Sequence, residues 1–225
     1  MTPYAELCVT SNFTFLTGAS HPEELVTRAA ELGLTAIAIT DRNSVAGVVR
    51  AFSALKELAR QRDEARTGTV QDGPEIRSRK VTDHSSRQSV PHFTGETAAP
   101  VLLDRPLPKL IPGARLVLAD SPVDWLALPT DLAAWSRLTR LLSLGKRRAA
   151  KGECHLTRAD LLDWGQGLIL IALPPDMMEA DSPQEAAVRS DIARVAGAFP
   201  GQCHVGAVPH YDGRDQPRLD RLSAL

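Results

Sequence analysis

Over residues 4–52 the chain reads as strand, turn, helix, strand, acidic loop and helix, and this order limits the fold more than any other feature. Residues 6–10 alternate and end in polar side chains, which suits a short first strand. Ser20-His21-Pro22-Glu23 has capping-box form, with Ser20 as N-cap and Glu23 reaching back to it. Leu25, Val26, Ala29, Ala30 and Leu32 give a helical face, and Gly33 supplies the stop. Residues 36–39 are continuously apolar, as expected of a strand covered on both faces. A strand–helix–strand crossover makes the two strands parallel members of one sheet. Ligands and catalytic groups collect at the carboxyl ends of such strands, here residues 10–12 and 40–42. Asn43 or Ser44 caps the next helix, with Val45, Val48, Val49, Phe52 and Leu55 on its buried side, continuing to about Arg60.

The texture changes at Gln61. Residues 61–109 are rich in Arg, Asp, Ser, Thr, Gly and Pro, carry mixed charges and show no sustained period. So long a structureless connection inside a domain reads as an inserted, mostly disordered loop between a first part, 1–60, and a continuation, 110–225. Its His84 and His92 are expected to be solvated. Beyond it, residues 113–118 and 123–128 form an antiparallel hairpin around Asp120-Ser121-Pro122. Thr130 and Thr157 cap helices. Residues 168–173 form a buried strand, 183–199 a helix, 203–208 a strand, and 218–225 open another helix. Strands and helices alternate, so the fold class is α/β. With about six strands readable and the last helix cut short, the expectation is an incomplete barrel or truncated sheet.

A chain of 225 residues with 43% hydrophobic content holds one sizeable core or two small ones. A net charge of -1 argues against a general nucleic-acid-binding surface, though not against a local basic patch. Cys8, Cys154 and Cys203 are scattered without a C-x-x-C pair, which fits a reduced cytosolic protein. The N-terminus shows no basic-then-apolar leader and no run approaches membrane-spanning length, so a soluble, cytoplasmic protein with no membrane partner is expected.

Residues 6–18, E-L-C-V-T-S-N-F-T-F-L-T-G, resemble the opening of a PHP (polymerase and histidinol phosphatase) domain, which runs close to H-L-H-V-H-S-E-Y-S-x-L-D-G. Residues 33–47, G-L-T-A-I-A-I-T-D-R-N-S-V-A-G, resemble that family's G-x-x-A-I-A-I-T-D-H-x-x-x-x-G. The version here, with residues 19–25 and 41–43, is most similar to the N-terminal domain of bacterial error-prone DNA polymerases, C-family relatives of the replicative alpha subunit. Residues 142–157 and 168–175 are similar to further stretches of that branch. The resemblance implies a PHP-like distorted β/α barrel, incomplete because the chain ends early. Residues 1–60 and 110–225 are then its two parts. It also implies a metal cluster that activates water against a phosphate ester, held by converging nitrogen and oxygen ligands. At the family's ligand positions this chain has Glu6, Cys8, Thr10, Arg42 and, after Gly113-Ala114, Arg115; only Asp41 remains.

No metal and no catalytic residue is therefore expected in this chain. Asp41 reads as a cap, neutralised by Arg42 and Arg115 where a cation once sat. Cys8 reads as a small buried or half-buried thiol and His21 as part of a helix cap. Lys146, Arg147, Arg148 and Lys151 read either as complements to a helix C-terminus or as a contact for phosphate or an acidic partner. Trp125, Trp135 and Trp164 are spaced as core residues, and there is no Gly-rich phosphate loop.

Full-length members of the resembled family perform translesion DNA synthesis in damage repair with magnesium in a palm domain, which these residues lack. The expected role is structural or positioning. Its partners are the remaining polymerase domains, DNA through those domains, and other translesion proteins. The alternatives are a stand-alone PHP-type phosphoesterase and a non-catalytic interaction module.

Overall fold

A computed structural model of the chain describes residues 3–67 and 106–225, apart from 177, 179, 180 and 214. Most of the expected 61–109 loop, including His84 and His92, lies outside the described residues.

The first strand, β1 (Ala5–Val9), leads through a turn into α1 (Pro22–Leu32) and back into β2 (Ala36–Ile39). The two strands run parallel, as the crossover requires. The cap of α1 is His21 rather than Ser20, and Glu24 rather than Glu23 reaches back, accepting the His21 N–H at 2.9 Å. Pro22 explains the shift: lacking an N–H, it fits the first helical position, so the cap is the residue before it. Gly33 closes the helix at φ 71, with its N–H and that of Leu34 donating to Ala30 and Ala29 carbonyls.

Helix α2 runs Ala46–Thr67, seven residues beyond the expected end at Arg60. Its apolar period does stop, but Arg60 pairs with Glu57 and Glu64 at 2.5 Å, and such spacing sustains a helix without a core. Val48 and Ala51 face inward, whereas Val49 and Phe52 are 67% and 51% exposed, contrary to expectation. Phe52 is instead covered by the Lys56 ammonium, 4.8 Å from the ring centre. A strand the sequence reading missed, β3 (Lys109–Pro112), pairs parallel with β2 and completes a sheet ordered β1-β2-β3.

A second sheet contains β4 (Ala114–Leu116), β5 (Asp124–Pro129), β6 (Leu168–Leu173) and β7 (Cys203–Val205) in that order. The β4–β5 hairpin and the β5–β6 pair are antiparallel; β6–β7 is parallel. β7 ends three residues short of the expected Val208. Helices α3 (Leu132–Arg148), α4 (Arg158–Trp164), α5 (Pro183–Ala198) and α6 (Asp215–Ser223) complete the described elements. The cap of α3 is Asp131, whose Oδ1 accepts from Ala134 at 2.7 Å; Thr130 instead donates to the Gly167 carbonyl. Thr157 caps α4 as expected.

The sheets meet where the chain leaving β2 pairs with β4: Arg115 donates its amide to the Asp41 carbonyl, and Asn43 donates its amide to the Arg115 carbonyl. Each sheet carries its own core. One is built on Val26, Ile37, Ile39 and Ala51, the other on Trp125, Leu138, Leu141, Leu161 and Leu170. Val45 and Trp135 pack against both. The fold is α/β, and the described strands do not close into a barrel.

Asp160 ties the end of α3 to α4. Burial pushes its carboxyl up, but the Thr157 amide, the Arg148 guanidinium and the Thr157 hydroxyl outweigh that and hold it below its ordinary value. A depressed carboxyl contributes stability that is full above the unfolded value of about 3.9 and lost as pH falls through the folded one. Asp160→Asn is therefore expected to lower the urea midpoint at neutral pH and to narrow its gap to the parent below about pH 4. A gap that stays constant on acidification would remove Asp160 from the acid response.

Candidate functional site

Asp41 follows β2 at the mouth between the sheets and is fully buried. The Ser11 amide donates to its Oδ1 at 2.8 Å and the Thr14 hydroxyl to the same oxygen at 2.9 Å. The Ser11 hydroxyl donates to Oδ2 at 2.8 Å. On the remaining side it lies against the first turn of α2, where the helix dipole favours a negative charge. Gly47 permits that approach, since a Cβ there would stand 2.6 Å from Oδ2.

Neither arginine neutralises this carboxylate, which corrects the expectation from sequence. Arg115 places Nε and Nη2 at 2.8 and 2.7 Å from Asp124 Oδ2 on β5. Arg42 is exposed, and its contact with the network is through its amide, which donates to the Thr14 hydroxyl at 2.9 Å. Hydroxyl and amide dipoles took the role assigned to guanidinium. A short side chain satisfies a buried carboxylate without burying a second charge.

The β1 positions are equally unlike a metal centre. Glu6 folds back on its own strand, accepting from the Tyr4 hydroxyl at 2.7 Å and the Cys8 amide at 3.1 Å. Cys8 is half-buried, and burial pushes its thiol up, against the pull of Arg115. Cys8 and Thr10 line a cleft of about 450 Å³ with Arg115, Asp124, His210 and Arg218. His21 keeps to its cap, its Nδ1 2.8 Å from the Asn12 amide nitrogen.

A divalent cation needs several oxygen, nitrogen or sulfur donors within bonding distance. Among the described residues no three His, Cys, Asp or Glu side chains converge in that way. Asp41 also spends its oxygens on three donors. The residues present do not fit a PHP-type metal cluster.

The basic cluster separates. Arg148 is committed to Asp160, at 2.8 and 2.7 Å from its two oxygens. Lys146 and Lys151 line a second cleft, of about 710 Å³, together with Arg42; Arg147 is exposed outside that lining. Trp125 is fully buried, and Trp135 and Trp164 pack on the same core. Sequence reasoning missed Ser11, Thr14 and Asp124. The signal present was a run of small hydroxyl residues just after a strand that ends beside an acidic one.

Fold and site together define an α/β domain with an open pocket at its strand ends. The PHP domain family matches residues 6–178, and the chain belongs to that family. It is homologous to the N-terminal part of error-prone DNA polymerases. Over 99% of its length it is 57% identical to an error-prone DNA polymerase of Ruegeria pomeroyi, covering 18% of that protein. It is 41% identical to one from Rhodopseudomonas palustris and 37% identical to one from Caulobacter vibrioides, again over 99% of the chain and 16% of each relative. The chain thus spans less than a fifth of the relatives it matches. A Bifidobacterium adolescentis protein, crystallised as a candidate metal-dependent phosphoesterase, superposes with a TM-score of 0.48 at 13% identity, covering 99% of this chain and 85% of the other. No helix among the described residues is long and apolar enough to cross a membrane.

Proposed function

We propose that this chain is the N-terminal PHP domain of a translesion DNA polymerase, with a decayed metal site and a structural or positioning role. The observation that carries the decayed metal site is the Asp41 carboxylate, enclosed and held by three donors from Ser11 and Thr14. Three of the roughly four acceptor positions of this carboxylate are already taken, and among the described residues no pair of His, Cys, Asp or Glu stands beside it to share a cation. In this reading DNA synthesis, its magnesium and its contacts with other translesion proteins belong to the full-length cytoplasmic enzyme during DNA repair. This domain packs against the polymerase domains that do the chemistry.

The test is metal content and hydrolysis together. Protein purified without added metal is expected to carry far less than one zinc or manganese per chain. It is also expected to leave a chromogenic phosphodiester intact when either metal is supplied. Two or three bound metals per chain with turnover would overturn the reading in favour of a PHP-type phosphoesterase.

A further inference from the structure

The network that encloses Asp41 also shapes the wall of the second cleft. The Ser11 hydroxyl donates to Asp41 and accepts the Phe13 amide at 3.2 Å, while the Thr14 hydroxyl donates to Asp41 and accepts the Arg42 amide. Phe13 and Arg42 are thereby fixed by one buried anchor, and both line the 710 Å³ cleft together with Lys146 and Lys151. Three cations face this space against one carboxylate, Glu153. Among the described residues, none of the ion pairs uses Arg42, Lys146 or Lys151. Phe13 is 40% exposed with the Arg50 guanidinium over one face of its ring, 6.0 Å from the centre, and Phe15 on the same loop is 84% exposed. A chain of net charge -1 that gathers three uncommitted cations beside an accessible aromatic face has built a local site, not a general basic surface.

We propose that this cleft binds single-stranded DNA, with Arg42, Lys146 and Lys151 on successive phosphates and Phe13 against an unstacked base. Phosphate charge accounts for the cations. The aromatic wall selects a single strand, because duplex bases are already stacked and offer no face. An acidic protein segment would use the cations but not Phe13. The inference goes beyond the structural role proposed above. Its test does not depend on metal or hydrolysis, so either reading can fail alone.

The experiment is fluorescence anisotropy of a labelled oligothymidylate titrated with the chain across a salt series. A duplex of equal length and polyglutamate serve as competitors. The single strand is expected to bind more tightly than either competitor. Three phosphate contacts predict a slope of log K on log salt of about -2, and Lys146→Ala or Lys151→Ala should each reduce it by about 0.7. Phe13→Ala should weaken binding roughly fivefold, and Phe13→Tyr should restore it. Arg140→Ala, exposed on the same helix α3, is the control and should change neither slope nor affinity. Urea midpoints equal to the parent confirm that each variant is folded. A Lys146→Ala/Lys151→Ala double variant that binds as tightly as Arg140→Ala would overturn the proposal. So would polyglutamate binding as well as the oligonucleotide.

Discussion

Asp41→Ala is expected to destabilise the domain by about 2–4 kcal/mol, because each buried donor left without an acceptor costs roughly 1–3 kcal/mol. The Ser11 amide is the part that cannot adapt. A hydroxyl rotates towards a new acceptor, but an amide fixed by the backbone does not, and Ser11 is fully buried. Asp41→Asn should fall between, since it keeps one oxygen for the donors while turning an NH2 against a hydroxyl. A metal ligand behaves differently. Carboxylates gathered for a cation repel one another when it is absent, so removing one leaves the metal-free fold as stable or more so. Urea denaturation of parent, Asp41→Asn and Asp41→Ala in chelator separates the two cases, read as midpoints at unchanged slope. An alanine variant within about 0.5 kcal/mol of the parent would return Asp41 to the metal-ligand class, since surface-like indifference is what a structural carboxylate with three buried donors cannot show.

The order β1-α1-β2-α2 was legible because each element carries its own period and the crossover rule joins them. Boundaries failed where a local rule had a competitor. Pro22 moved the α1 cap by one residue, and charge pairs carried α2 past the end of its apolar face. The short β3 escaped notice because four residues ending in proline show too little alternation to mark a strand. The way the two sheets join was not legible at all, since it depends on the bridge between Arg42 and Arg115, residues far apart in the chain.

The site was legible as a set of positions, through the family resemblance, but not as a set of partners. Opposite charge is the one pairing signal a sequence carries, and it points from Asp41 to arginine. Arg115 finds Asp124 through register: it stands opposite Leu126, which places Asp124 two residues along on the same face of the neighbouring strand. Ser11 and Thr14 reach Asp41 across about thirty residues, a pairing that neither period nor charge announces. The basic cluster shows the same limit. The run Lys146, Arg147, Arg148, Lys151 looks uniform in sequence, yet Asp160 takes Arg148 while Lys146 and Lys151 line a cleft with Arg42.

The seam between the sheets yields the second large effect, at Asn43. Its φ of 46 places it in the left-handed region, its side-chain oxygen accepts the Val117 amide at 2.9 Å, and its side-chain nitrogen donates to the Val117 carbonyl at 3.3 Å. One residue thus supplies both the turn out of β2 and the grip on Val117, immediately after β4. Glycine adopts that conformation freely but loses both side-chain bonds, so Asn43→Gly is expected to cost about 2 kcal/mol. Alanine loses the same bonds and adds a Cβ in the left-handed region, a further cost of about 1 kcal/mol. The expected order of urea midpoints is parent, then Asn43→Gly, then Asn43→Ala. Because Val45 and Trp135 touch both cores, loosening the seam should lower the midpoint of the whole domain rather than of one sheet. Tryptophan fluorescence follows the core around Trp125, and far-ultraviolet circular dichroism follows the helices of both halves. The two signals should therefore shift together. If Asn43→Ala proved as stable as Asn43→Gly, backbone strain would have no part in this joint, and if the two probes separated, the sheets would be independent units rather than one domain.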